Sequence, residues 1–156
     1  NSTLIKKLVL LATSPLKRTL HHSTPQTKLL VYTMLIRPIL EYASVAWFPF
    51  TNKHVAALER IQCKAVRSIY NRYRRTDSPT ALLIRADLPT LASRAKLHSL
   101  RFLYLVLHNS LKINPGNYVK VNSKRQTRNK HCHTLDEYPF KNNVFGHSFF
   151  LRAIRA

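Results

Sequence analysis

The stretch that decides the fold is residues 53–70, KHVAALERIQCKAVRSIY. Its inward side chains recur every three or four residues, as on one face of an α-helix; they are Val55, Leu58, Ile61 (or Gln62), Ala65 and Ile69. Arg60, Lys64 and Arg67 fall on a different face of the same helix. The pattern predicts an amphipathic α-helix with a basic side, and this is the clearest helix in the chain.

Start and stop signals on both sides of this stretch predict further helices. Thr24-Pro25 has the form of an N-cap followed by proline at the first helical position, where the missing N–H costs nothing. The helix it starts should break near Arg37-Pro38, before a second piece over residues 39–47 that is apolar and buried on most sides. Ser78-Pro79 and Thr90 begin two more helices.

The predicted fold class is therefore mainly α, an irregular bundle of five to seven helices with an extended basic C-terminal segment. We expect a helical domain over residues 1–116. Residues 117–156 are expected to form a basic extended segment, followed by an aromatic element that docks on the helices.

The composition points to a polyanionic partner. The 156 residues include 26 Lys+Arg against 6 Asp+Glu, a formal net charge of +20. A protein this basic gains free energy by displacing counterions from phosphates, so RNA, DNA or a hybrid is the expected partner. Two cysteines are too few for a disulfide framework, which favours an intracellular site, cytoplasmic or nuclear. No apolar run approaches the roughly 18 residues of a membrane span.

Two basic segments are candidate nucleic-acid contacts. In the first, arginines alternate with tyrosines, so that guanidinium groups could hold phosphates while the aromatic rings stack on bases. Together with the basic side of the helix, this gives a candidate set: Arg60, Lys64, Arg67, Tyr70, Arg72, Tyr73, Arg74 and Arg75. The second segment contributes Lys124, Arg125, Arg128 and Lys130. The alternative for the first segment is a solvated helix end, whose last turn favours cations.

Catalysis by this chain alone is not expected. A two-metal polymerase or nuclease needs carboxylates that converge on a divalent cation, and the six acids form no recognisable pair. His131-Cys132-His133 lacks the separated ligand pairs of a zinc site. Two glycines cannot build a phosphate-binding loop, and no nucleophile has an identifiable base. We therefore predict no metal, no cofactor and no small-molecule substrate.

Four residues are predicted to have structural roles. Arg37 and Glu41 are one helical turn apart and can pair, and Tyr42 and Trp47 are expected in the core. The predicted cluster is Tyr42, Trp47, Leu58, Ile61, Leu100 and Leu103.

Two consecutive stretches carry a family resemblance: LLVYTMLIRPILEYASVAWFP (29–49) and HVAALERIQCKAVRSIYNRY (54–73). They resemble the region after the polymerase palm in reverse transcriptases of non-LTR retrotransposons (LINE-type, jockey- or CR1-like). There, R-P-x-L-E-Y-A-S-x-x-W-x-P is followed by L-E-x-x-Q-x-K/R-A-x-R-x-I. The matching residues are Arg37, Pro38, Leu40, Glu41, Tyr42, Ala43, Ser44, Trp47, Pro49, Leu58, Glu59, Gln62, Lys64, Ala65, Arg67 and Ile69. Residues 88–111 and 147–156 resemble the same family, although Leu151 stands where relatives carry proline.

The resemblance implies a thumb-like or post-palm fragment of an RNA-directed DNA polymerase. The palm, with its paired aspartates and Mg²⁺, would then precede Asn1 in a parent polyprotein, and the remainder of that polyprotein would be a partner. The chain itself would be a non-catalytic module that contacts the template–primer backbone. The alternative is a helical protein-interaction or scaffold domain whose charge serves solubility; a complete enzyme is a weaker third reading.

Overall fold

A computed structural model of the protein describes residues 18–121, 135–137, 139 and 141–155. Within these residues the chain is mainly helical, which confirms the predicted fold class. The chain divides into two compact units, with the division between Ala95 and Lys96. The sequence-based domain boundary at residue 116 remains a prediction.

In the first unit, α1 (Pro25–Val31) continues through a π-helical turn (Tyr32–Ile36) into α2 (Arg37–Glu41). Thr24 caps α1 as predicted, its hydroxyl accepting the N–H of Thr27 at 3.3 Å. The predicted break near Arg37-Pro38 is wrong, because the helix passes through it. Pro38 lacks an N–H and its ring crowds the carbonyl four residues earlier; just before it, the Arg37 N–H bonds to the Tyr32 carbonyl, five residues back.

The π turn keeps one face of this helix towards the core. In a regular α-helix, each residue is rotated about 40° around the helix axis from the residue four positions earlier. A π turn has more residues per turn, so this rotation is smaller and residues four apart stay closer to one face. The buried side chains lie at this spacing: Lys28, Tyr32, Ile36 and Leu40.

Further along the chain, the first unit contains α3 (Ser44–Trp47), α4 (Asn52–Ile69), α5 (Pro79–Arg85) and the start of α6 (Leu91–Leu107). Their shared core is centred on α4 and contains Leu58, Ile61, Ala65, Val66, Ile69, Leu83 and Leu91 with Tyr32, Ile36 and Leu40. The predicted burial of Leu58 and Ile61 is confirmed.

The predicted six-residue cluster is wrong in three of its members. Tyr42 is 79% exposed, Leu100 is 38% exposed, and Leu103 belongs to the core of the second unit. Ala43 adopts a left-handed backbone (φ 49°), which ends α2 and turns the chain so that Tyr42 faces solvent. Trp47 is half-buried against the first core, and its indole N–H donates to the Tyr42 carbonyl. Residues 39–47 are thus not buried on most sides, since Ile39 is exposed as well.

The N-terminus of α6 is anchored on α4. The Thr90 hydroxyl accepts the Ser93 N–H at 3.1 Å, as the predicted cap requires, and Glu59 of α4 accepts the Ala92 N–H at 3.0 Å. Both bonds satisfy amides that a helix start leaves without partners. Gln62 adds a bond from its side-chain amide to the Pro89 carbonyl at 2.9 Å.

The second unit combines most of α6 with short elements: a 3₁₀ turn (Pro115–Asn117), β1 (Lys120–Val121), β2 (Leu135–Asp136), α7 (Asn143–Gly146) and α8 (Phe149–Ile154). The two strands pair antiparallel, Lys120 opposite Asp136. Phe149 of α8 meets Phe102 of α6 edge to face, with 5.1 Å between ring centroids, and Phe150 stacks on Tyr118. Aromatic side chains near the C-terminus therefore pack on a helix.

Candidate nucleic-acid interface

The side of α4 that faces away from the core carries exposed cations. Arg60 and Lys64 lie one turn apart and are both exposed. Lys53 is exposed too, and the seven residues to Arg60 are close to two full turns, so it lies on the same side. This face was predicted from the amphipathic pattern except for Lys53, which the same spacing would have indicated.

Beyond α4, three more arginines are exposed on the loop that leads to α5. They are Arg72, Arg74 and Arg75. Tyr73 lies between them and is 57% exposed. We call Arg60, Lys64, Arg72, Arg74 and Arg75 the basic surface, and residues 71–77 the arginine loop.

Arg67 has a position different from the one its sequence spacing suggests. Its side chain is half-buried, and its Nη2 donates to the Asp77 carbonyl at 3.3 Å. Its Nε is buried without a hydrogen-bond partner among the described residues. Arg67 thus connects the end of α4 to the end of the arginine loop rather than extending into solvent with Arg60 and Lys64.

Tyr70 also has a partner within the protein. It is half-buried against the first core, and the guanidinium of Arg85 lies 5.0 Å from the centre of its ring. That distance is typical of a cation–π contact. Of the two tyrosines predicted to stack on bases, Tyr73 is therefore the more accessible. The Arg85 contact could not be predicted from sequence, because it forms only when α5 brings Arg85 back to the end of α4.

The arginine loop begins where α4 ends in a left-handed residue. Asn71 has φ 52°, a conformation in which asparagine is tolerated better than most residues, and the Arg72 N–H returns to the Arg67 carbonyl at 3.0 Å. Further along, the Arg74 N–H donates to the Asp77 carboxylate at 3.1 Å, and the Asp77 N–H donates back to the Arg74 carbonyl at 3.1 Å. The loop backbone is thus fixed by its own hydrogen bonds while its arginine side chains face solvent.

Both acidic residues near the basic surface make structural hydrogen bonds. Glu59 accepts the Ala92 N–H at the start of α6, and Asp77 accepts the Arg74 N–H within the loop. Neither forms an ion pair within 4 Å with a described cation of this surface. The surface therefore keeps a strong excess of positive charge.

A second polar cluster, centred on Glu41, joins α2 to α6. Arg37 Nε lies 3.5 Å from the Glu41 carboxylate, the pair that their one-turn spacing predicts. Arg94 holds both oxygens of the same carboxylate, with Nη2 to Oε2 at 2.8 Å. The hydrogen bond that Arg94 donates to the Glu41 carboxylate raises the pKa of Arg94. Sequence reasoning missed Arg94, because 53 residues separate it from its partner.

Several sequence-based expectations concern residues beyond those the structure describes. The second candidate basic segment is among them, as is the His131-Cys132-His133 cluster. Within the described residues, no group of three or more His, Cys, Asp or Glu side chains could hold a metal ion. None of the helices over this part of the chain is long and apolar enough to cross a membrane.

Comparison with known proteins adds no relative: the chain matches no protein-family model, no curated protein and no solved structure.

Proposed function

We propose that this protein is a non-catalytic nucleic-acid-binding part of a retrotransposon reverse transcriptase, an RNA-directed DNA polymerase, and that it contacts the backbone of the template–primer. The observation that carries the nucleic-acid proposal is the basic surface. The five cations of the basic surface are exposed on the outer side of α4 and on the loop that follows, while nearby Glu59 and Asp77 are engaged in structural hydrogen bonds.

Such a surface favours phosphates over bases. Each phosphate that a Lys or Arg neutralises releases condensed counterions, which makes binding favourable and strongly dependent on salt. The cations lie on one helix side and on a loop, and among the described residues we identify no element shaped to read base edges in a groove, so binding should tolerate any sequence. Tyr73 could add roughly 1–3 kcal/mol by stacking on an unpaired base.

The polymerase part of the proposal rests on the sequence resemblance. Palm, paired aspartates and Mg²⁺ would belong to the remainder of the parent polyprotein, which is the protein partner we propose. This chain would contribute affinity for the template–primer, RNA, DNA or their hybrid, and its own residues would take no part in nucleotide transfer.

The test is a salt series with a variant of the arginine loop. Replacing Arg72, Arg74 and Arg75 with Gln removes three charges from the basic surface, and the slope of log K against log salt for a fluorescent oligonucleotide should flatten by up to about 2–3 units. The matched control replaces Lys96, Arg101 and Lys112, exposed cations outside the basic surface, and lowers the net charge equally, from +20 to +17. An equal slope in both variants would contradict the proposed site.

A helical protein-interaction domain is the alternative, and one observation favours it. The outer side of α1, the π turn and α2 is apolar, and it exposes Leu30, Met34, Leu35 and Ile39, with Tyr42 just beyond. A contiguous exposed apolar face is more typical of a protein contact than of a phosphate contact. Under this alternative the native protein would show weak oligonucleotide binding with a shallow salt slope.

A further inference from the structure

The arginine loop is held by contacts that leave its three arginine side chains at the surface. We propose that Lys28 and Asp77 are positioning residues, which fix residues 71–77 in the conformation that presents Arg72, Arg74 and Arg75 to a phosphate backbone. This inference rests on the proposed function. It assigns a role in binding to two residues that need not touch the nucleic acid.

Lys28 holds the beginning of the loop. Its side chain is buried (4% exposed) on the core side of α1, and its Nζ lies 3.4 Å from Asn71 Oδ1 and 3.5 Å from the His21 carbonyl. None of the ion pairs among the described residues includes Lys28. A buried ammonium group is costly unless it is hydrogen-bonded. The buried ammonium group of Lys28 therefore favours the conformation in which Asn71 Oδ1 accepts its hydrogen bond, and this holds Asn71 in place.

Asp77 holds the end of the loop. Its carboxylate accepts the Arg74 N–H, its N–H donates to the Arg74 carbonyl, and its own carbonyl accepts Arg67 Nη2. In a cluster of arginines a carboxylate also repels phosphate. Charge alone therefore predicts that removing Asp77 strengthens binding, whereas a positioning role predicts that it weakens binding.

A loop that is already ordered in the free protein binds more tightly. If the loop were disordered before binding, part of the binding free energy would be lost in ordering it. Rigidifying a binding loop raises affinity chiefly by reducing that cost. A released loop would still bring the same arginines to the same phosphates. Loss of Lys28 or Asp77 contacts should therefore lower affinity at every salt concentration without changing the salt slope, unlike loss of the arginines themselves.

The main experiment compares Asp77→Ala with Asp77→Asn. Both remove the negative charge, but asparagine keeps a side-chain oxygen that can accept the Arg74 N–H. Asp77→Ala should weaken binding of a fluorescent single-stranded oligonucleotide by about 3- to 10-fold, the equivalent of one net hydrogen bond, with a salt slope parallel to that of the native protein. Asp77→Asn should bind at least as tightly as the native protein. Binding by Asp77→Ala that equals or exceeds native affinity would overturn the role of Asp77.

A second variant tests Lys28 without any change of charge. In Asn71→Gly, glycine keeps the left-handed helix end at no steric cost but removes the side-chain acceptor of Lys28 and leaves it the His21 carbonyl. We expect about 2- to 3-fold weaker binding at an unchanged slope, and native affinity would overturn the role of Lys28. If circular dichroism shows that Asp77→Ala does not fold, the positioning role of Asp77 is overturned, because its contacts are then needed for folding itself, and Asn71→Gly still decides the role of Lys28. A flat salt slope for the native protein would overturn the proposed function itself, whereas a steep native slope with unaffected variants would overturn only the positioning roles.

Discussion

At the scale of single residues, the largest fully buried side chain among the described residues is Tyr32, at the start of the π turn. Its ring packs in the first core, but its hydroxyl has no hydrogen-bond partner among the described residues. Burial raises the pKa of the Tyr32 phenol far above its usual value; the nearby Arg37 opposes this, and Glu41 reinforces it. Because a buried hydroxyl without a hydrogen-bond partner carries a desolvation cost, a substitution that removes it can stabilise the protein.

Replacing Tyr32 with Phe should leave the protein as stable as before at pH 7 or up to about 1 kcal/mol more stable, because an unpartnered buried hydroxyl carries a desolvation cost. The advantage should grow above about pH 10. There Tyr32 ionises in the unfolded chain, while the folded chain, with its raised pKa, keeps the proton; the native protein therefore loses stability that the phenylalanine variant retains.

Urea unfolding of both proteins at neutral pH and at about pH 10.5 measures this difference. A variant that is less stable than the native protein by more than about 1 kcal/mol at neutral pH would show that the hydroxyl has a hydrogen-bond partner, such as a buried water.

At the scale of elements, Glu41 determines how α2 is held against the start of α6. Its carboxylate is only 13% exposed and is shared by Arg37 and Arg94. Two half-buried guanidinium groups that depend on one carboxylate make that carboxylate hard to replace, because its loss leaves both cations without their counter-ion.

We expect Glu41→Gln to lower the free energy of unfolding by about 2 kcal/mol. Glu59→Gln is the matched control, since the amide oxygen of glutamine can still accept the Ala92 N–H and no ion pair is lost. It should cost less than about 1 kcal/mol. Chemical denaturation of both variants is the measurement, and equal losses would indicate that Glu41 stabilises the protein through its shape rather than its charge.

The same elements mark what sequence could and could not predict. The starts of α1, α5 and α6 were predicted because Thr24-Pro25, Ser78-Pro79 and Thr90 are local signals that depend only on neighbouring residues. Thr24 and Thr90 each accept an amide of the first turn, whereas Ser78 makes no side-chain cap bond and Pro79 alone marks the start of α5. The passage of the helix through Pro38, the exposure of Tyr42 and the Glu41–Arg94 pair were missed, because each depends on backbone geometry or on residues distant in sequence.

In the candidate site, too, some side-chain positions could be predicted from sequence and others could not. The exposure of Arg60 and Lys64 follows from the amphipathic period of α4 and was predicted. The inward contacts of Arg67 and Tyr70 depend on Asp77 and Arg85, whose positions only the folded chain defines.

At the scale of the whole molecule, the dominant property is a formal net charge of +20 on 156 residues. The positive side chains repel one another in the folded state, and this repulsion lowers the stability of the fold. Salt screens the repulsion and so restores stability. A polyanion relieves the same repulsion and in addition stabilises whichever state binds it. Added salt should therefore raise the stability of the free protein and reduce the extra stability that a bound polyanion provides.

Thermal unfolding tests this prediction directly. Without nucleic acid, Tm should rise as salt is added, because screening weakens the repulsion among the exposed cations. With an oligonucleotide at about 100 times its Kd in low salt, binding adds about 2.7 kcal/mol of stability, and this increment should shrink to nothing as salt weakens phosphate contacts. The Arg72/Arg74/Arg75→Gln variant should show the first effect and little of the second, while the Lys96/Arg101/Lys112→Gln control should show both. An increment that persists at high salt would contradict a phosphate-dominated interface and would favour contacts made by apolar side chains.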